Sequence, residues 1–318
     1  MPDIAGLLQP LIDTFGGILG WIATNQWLYD IILIIGLLGA FITGIMRGLV
    51  KTIVHVVFVG IAFTLSYFIF APMIANFLLD DMFNLFGYTS SFDLNGVPTT
   101  ISSLREMFVV MGTHASLSQP MTAEFSSAVA TTLFTAISML MLSAFIYFFG
   151  WIISFILYLP FMGITISGKK KARAAGKKYK KHRLLAGLVS LVGFFIMIFF
   201  ALNAGFAVSA FLVPLANNVP FITYLAGLIP LPGGDVSAVI QGFILGLPRI
   251  GDGGMFASAL AFNGAMYSVP VPATSGTDPL TLTEAFEQFV TNGVGQSIEV
   301  FEGMQGSGGG GGSPAIQL

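Results

Sequence analysis

The stretch KKKARAAGKKYKKHR, Lys169 to Arg183, decides the fold. It holds nine of the thirteen Lys and Arg residues in fifteen positions, and long apolar sequence flanks it on both sides. A basic cluster between two membrane-length apolar runs is held on the cytoplasmic face, because positive charge resists translocation. The chain of 318 residues is 55% hydrophobic and only 9% charged, with mean hydropathy +0.87. Soluble domains carry about 25% charged residues, so lipid is expected to solvate much of this surface.

Outward from the cluster, residues 184–212 form one apolar span after it, and residues 127–166 form an apolar run before it. At 1.5 Å per residue that run makes roughly 55–60 Å of helix, far more than one hydrocarbon core of about 30 Å. It is either one span with an interfacial extension near Gly150 and Trp151, or two spans. Further upstream, residues 31–46 and 53–71 are apolar and uncharged apart from His55, and RGLVK (Arg47 to Lys51) joins them in a tight basic turn. The two basic sites should share the cytoplasmic side, which requires an even number of crossings between them. Parity therefore favours a single span within 127–166, and four spans in all. With 47–52 and 167–183 inside, eleven of thirteen Lys and Arg are cytoplasmic, and all fifteen Asp and Glu fall outside or at the outer interface.

The expected fold is an all-α integral membrane protein with four transmembrane helices. Residues 1–29 carry apolar side chains at helical spacing from Ile4 to Ile22, with Asp3, Gln9 and Asp13 off the stripe. They read as an N-terminal interfacial amphipathic helix. The alternative, a poor first span, would bury Asp13 and Pro10 at a high cost. No Lys or Arg precedes Arg47, so this segment lacks the basic start of a cleaved signal peptide. Residues 30–72 form a transmembrane hairpin opened by Asp30 as an N-cap. Residues 73–124 form an external loop, with a helix start signalled at Ser118. Residues 125–212 hold spans three and four with the cytoplasmic loop 167–183. Residues 213–305 form a Gly-rich external domain of mixed short helices and loops. Within it, TLTE (Thr281 to Glu284) is a capping box ahead of a closing amphipathic helix. Residues 306–318 read as a flexible Gly/Ser tail.

Chemistry-bearing motifs are sparse. The chain has no Cys, which excludes disulfides, thiolate metal sites and Cys nucleophiles. GITISGKK (Gly163 to Lys170) nearly matches a phosphate-binding loop, but Lys170 stands where a hydroxyl is needed, and the segment ends a helix instead of following a strand. His55, His114 and His182 are scattered without zinc-site spacing. GDGG, Gly251 to Gly254, lacks the further acids of a calcium loop and reads as a turn. No enzyme activity and no cofactor are expected.

Two residue patterns are candidate functional features. Gly36, Ala40, Gly44 and Gly48 recur every four residues, a small-residue ladder that admits another helix backbone, from this chain or a second copy. Ala201, Gly205 and Ser209 repeat it more weakly, and Asn203 offers an interhelical hydrogen bond. The second pattern is the basic contact of Arg47, Lys51, Lys169, Lys170, Lys171, Arg173, Lys177, Lys178, Lys180, Lys181 and Arg183. His55 would join Arg47 and Lys51 on one face if the helix were continuous there. Anionic lipid is the expected partner, at about 1 kcal/mol per charge. With one aromatic in the cluster, Tyr179, no nucleic acid is expected.

DIILIIGLLGAFITGIMRGLVKTIVHVVFVGIAFTLSYF, Asp30 to Phe68, resembles the opening of the colicin V production protein (CvpA) family. Asp30, Arg47, Gly48, Val50 and Lys51 carry the likeness, with Leu49 in place of the usual Phe. HRLLAGLVSLVGFFIMIFF looks like that family's element opening its last span, through Arg183, Leu185, Gly187 and Gly193, with His182 where Asp is usual. The resemblance covers roughly 30–72 and 125–212. It implies a four-span bacterial inner-membrane protein linked to toxin export and envelope homeostasis, a scaffold or accessory without an active site. The alternative is a channel or transporter subunit whose pore forms between copies. The N-terminus and the C-terminal domain are expected on the extracytoplasmic side, and a homo-oligomer or a membrane-protein partner is expected.

Overall fold

The computed structural model describes residues 27–85, 90–94, 97–113, 121–175, 182–218 and 281–295, with isolated positions between 10 and 25 and at 266, 267 and 269. The chain is mostly helical, and four helices are long and apolar enough to cross a membrane. Helix α1 spans Trp27–Arg47, with Asp30 in its first turn and Arg47 in its last, both matched to the helix dipole. Asp30 is therefore inside the helix and not its N-cap. Gly48 ends α1 at φ 84°, a left-handed conformation that a side chain would strain. The chain reverses there into α2, Leu49–Leu85, a 37-residue helix loosened by π turns at Ser66–Phe70 and Phe77–Asp81.

Helix α2 runs well past residue 72, where the expected span stopped. Asp80 and Asp81, taken as loop residues, sit on its final turns. A two-stranded antiparallel hairpin follows, β1 (Ser90–Leu94) and β2 (Val97–Ile101), with Leu94 opposite Val97. The all-α expectation is corrected here: Asn95-Gly96 between two short strands is a strong hairpin signal. Helix α3, Leu104–Thr113, comes next.

The long apolar run before the basic cluster is one helix, α4, Ala123–Tyr158, of 36 residues. Its N-cap is Thr122, whose hydroxyl accepts from Phe125 N–H, so the helix starts after the Ser118 signal, and Ser118 itself lies outside the described residues. Pro160 lies in the 3-10 turn Leu159–Phe161 that ends α4, and α5, Met162–Ala174, follows. Helix α6, Arg183–Asn217, runs back along the bundle. It is the central element, packing against α1, α2 and α4, while α1 and α2 touch each other little.

The Thr281 capping box forms as its sequence predicts: Thr281 Oγ1 accepts from Glu284 N–H, and Glu284 accepts from Thr281 N–H. It opens α7, Leu282–Gln288, which continues as a π turn, Phe289–Gly295. Phe286, Phe289, Val290 and Val294 of this segment are buried; Ile298 and Phe301, which continue the helical apolar spacing in sequence, lie outside the described residues. The segment docks on α3 and on the far end of α6.

Exposure divides the bundle into two levels. Large apolar side chains are exposed along Ile31–Met46 of α1, Ile53–Phe77 of α2, Met141–Phe161 from α4 into its closing turn, and Leu184–Phe195 of α6. Such a belt suits lipid. Beyond it, the first half of α4 and the second half of α6 are largely buried, under α3 and α7. Of the N-terminal segment, Phe15, Ile18 and Trp21 are described, all helical and all exposed.

Candidate functional sites at the two ends of the bundle

Packing contacts assign the bundle's ends. Gly44 of α1 meets Ala186 and Ser190 near the start of α6, and Lys51 of α2 meets Phe155 and Tyr158 near the end of α4. Arg47, Lys51 and Arg183 therefore share one end, as parity requires. Every described Asp and Glu lies toward the other end.

The small-residue ladder packs within the chain. A Cβ on Gly36 would stand 2.5 Å from the Phe194 ring, and one on Gly44 would stand 2.5 Å from the Ala186 carbonyl oxygen. The approach is reciprocal at Gly187, where a Cβ would meet Phe41 of α1 at 2.6 Å, and α2 comes equally close at Gly193, where a Cβ would meet Val56 at 2.9 Å. Ala40 is half-buried. Gly48 departs from the pattern, since a Cβ there meets nothing within 4 Å and the residue serves the turn instead. Asn203 is fully buried, and the hydrogen bond from its Nδ2 goes to Phe199 O of its own helix at 2.7 Å. Of the weaker repeat Ser209 is buried, and Ala186, Ala204 and Ala207 of the same helix are fully buried.

At the basic end Gly48 breaks the helix, so Arg47 closes α1 while Lys51 and His55 share a face of α2. That face looks onto α4. Lys51 Nζ lies 5.0 Å from the Phe155 ring centroid and 5.9 Å from that of Tyr158, within cation–π range. His55 Nδ1 and Ser154 Oγ are 2.7 Å apart, and Tyr158 shares a hydrogen bond with Thr165 of α5 at 2.8 Å. Arg47 is half-buried and makes no hydrogen bond or ion pair with a described residue. Lys169, Lys170, Lys171 and Arg173 are exposed on α5, and Arg183 is exposed at the start of α6. Lys177, Lys178, Lys180 and Lys181 lie outside the described residues.

At the acidic end the organising residue is one the sequence did not single out. Arg105 of α3 donates through Nε to Asp80 Oδ1 at 2.6 Å and through Nη2 to Asp80 Oδ2 at 2.9 Å. Nη2 also reaches Asn76 Oδ1 at 3.0 Å, and Nη1 reaches Thr131 Oγ1 at 2.7 Å and Ser127 Oγ at 3.1 Å. All five guanidinium donors are used, and they tie α3 to α2 and α4. A sequence clue exists: Arg105 is one of only two Lys or Arg residues outside the two basic sites. Beside it an open groove of about 660 Å³ is lined by Val109, Glu124, Ala128 and Thr132 among others.

The floor of this end is aromatic. Phe289 stacks on Phe108 at 5.3 Å, and Phe211 meets Phe286 edge-on at 5.3 Å. Tyr67 Oη donates to Met266 O, and the Tyr67 ring meets Tyr267 edge-on at 6.0 Å. Burial raises the Tyr267 hydroxyl pKa above its ordinary value, with the Tyr67 hydroxyl adding to the effect. Among the described residues no group of three His, Asp or Glu stands close enough to hold a metal.

Comparison with known proteins returns no family model, no curated protein and no solved structure that matches the chain.

Proposed function

We propose that the protein is a non-enzymatic, four-span scaffold or export accessory of a bacterial inner membrane, with its basic end in the cytoplasm. One observation carries the reading: among the described residues, buried side chains fill the bundle interior. Phe63, Met139, Ala204 and Ala207 are all fully buried along it. A filled interior offers solute no path through one copy, whereas a rigid external platform suits partner binding. The Arg105 node and the docked α7 supply that platform, and the groove beside Glu124 is its concave face. The likeness of Asp30–Phe68 to the colicin V production protein family directs the proposal to toxin export or envelope homeostasis. Self-association or a membrane-protein partner belongs to the same reading.

The competing function is a pore between copies. Purified protein reconstituted in liposomes decides between them. A scaffold passes no ion or small solute above empty vesicles; flux that disappears on Arg47→Ala overturns the proposal. Mass spectrometry of chains that co-purify in mild detergent then identifies the partner.

A further inference from the structure

We propose that Arg47, Lys51 and the His55–Ser154 pair form a site for the phosphate of one anionic phospholipid, held at a fixed place between α1, α2 and α4. The inference is independent of the scaffold reading, since a chain that passed solute could equally hold the lipid.

Three observations carry it. Positive charge here is half-buried and lacks a described counter-ion, with Lys51 set only over the Phe155 and Tyr158 rings. Arg47 and Lys51 are half-buried, neither bonds a described carboxylate, and the charges of both act on the His55 ring. A partly desolvated cation without a counter-ion is costly, so such a cluster fits an anion that completes it. The residue types also suit phosphate: a guanidinium presents a fork to two oxygens, an ammonium adds a point charge, and the His55–Ser154 pair adds hydrogen-bonding atoms on α2 and α4. Finally, the rim is apolar and open. Met46, Ile53, Ile156 and Leu159 are exposed by 76%, 43%, 57% and 48%, a wall for an acyl chain and a poor one for a free ion.

The same arrangement selects headgroup charge. No described acid stands at this end to pair the amine of a zwitterionic lipid. The exposed lysines of α5 differ in kind: they attract any anionic surface diffusely, whereas the half-buried site holds one molecule.

The test uses the full chain in detergent, with phosphatidylglycerol, phosphatidylcholine and inorganic phosphate as probes and retained lipid read by native mass spectrometry. One phosphatidylglycerol per chain should survive delipidation, with phosphatidylcholine lost first. Arg47→Gln with Lys51→Gln should weaken retention at least about tenfold, as the loss of a charge-assisted hydrogen bond implies. Lys169→Gln with Lys170→Gln and Lys171→Gln should change it less than about twofold, because diffuse charges do not hold one molecule. If the double variant fails to fold, two milder variants decide: Lys51→Arg must keep the lipid and Ser154→Ala must loosen it. Equal retention of both lipids overturns the proposal, as does loss through the α5 variant. Displacement by millimolar inorganic phosphate would make this a soluble-anion site and likewise overturn the lipid assignment.

Discussion

A methyl group on Gly44 would press on the Ala186 carbonyl oxygen and on Ser190 Cβ, at 2.5 and 2.6 Å. Both are parts of a packed helix that cannot swing aside. Gly44→Ala should therefore lose about 1–3 kcal/mol, the usual cost of overpacking. Gly39→Ala is the matched control, because a Cβ there meets nothing within 4 Å. It should be neutral or stabilise by up to about 1 kcal/mol through helix propensity. Thermal unfolding in one detergent compares the two, and equal losses would refute the close approach. The ladder was legible because it repeats every turn within one helix. Arg105 was not, because Asp80, Ser127 and Thr131 reach it only after three elements have folded together. Arg105→Lys keeps the charge but loses the fork. With Asp80 partly exposed, a loss of about 1–2 kcal/mol is expected.

At the scale of elements, α7 is held by its cap and its aromatic face. Phe289 is fully buried between Phe108 and Phe211, so Phe289→Ala should cost about 3–5 kcal/mol and expose the segment to protease. Two helix starts also respond to acid. Glu284 accepts from Thr281 N–H, and Glu106 accepts from Ser102 N–H and its hydroxyl at 2.7 and 2.8 Å; these bonds hold both carboxyl pKa values below the usual range. Both groups bind protons less readily folded than unfolded. Their contribution is therefore complete above the unfolded pKa of about 4.3 and fades as pH falls through the folded value. Hydrogen-exchange protection in α7, taken relative to the intrinsic rate at each pH, should fall across that acid window, and Glu284→Gln should flatten the fall. The cap was readable because Thr and Glu stand three apart in sequence. The end of α2 was misread because Asp80 and Asp81 look like loop residues, whereas they belong to a helix leaving the apolar belt. The hairpin was missed although Asn95-Gly96 announces it.

For the whole molecule, charge segregation was the most informative sequence signal, because positive residues act on topology without any tertiary contact. Reporters at residues 90 and 260 should lie on one side of the membrane and one at 175 on the other; residue 90 on the side of 175 would overturn the four-span arrangement. What charge could not reveal is that the helices extend beyond their exposed apolar belt. Exposed apolar side chains on α4 and its closing turn begin at Met141, which leaves Ala123–Leu140 ahead of the belt, about 27 Å of helix. One helix thus passes through two surroundings, an exposed apolar belt and a packed aromatic end. Within the belt, the helices of the bundle associate through close backbone approach, as at Gly36 and Gly44 of α1 against α6. Beyond the belt, Phe108 of α3, Phe211 of α6, and Phe286 and Phe289 of the α7 segment pack together through the hydrophobic effect, which carries a heat capacity and weakens on cooling. The two halves should therefore come apart separately, urea and cold loosening the aromatic end while a change of lipid or detergent loosens the glycine end. A single melting temperature would describe neither.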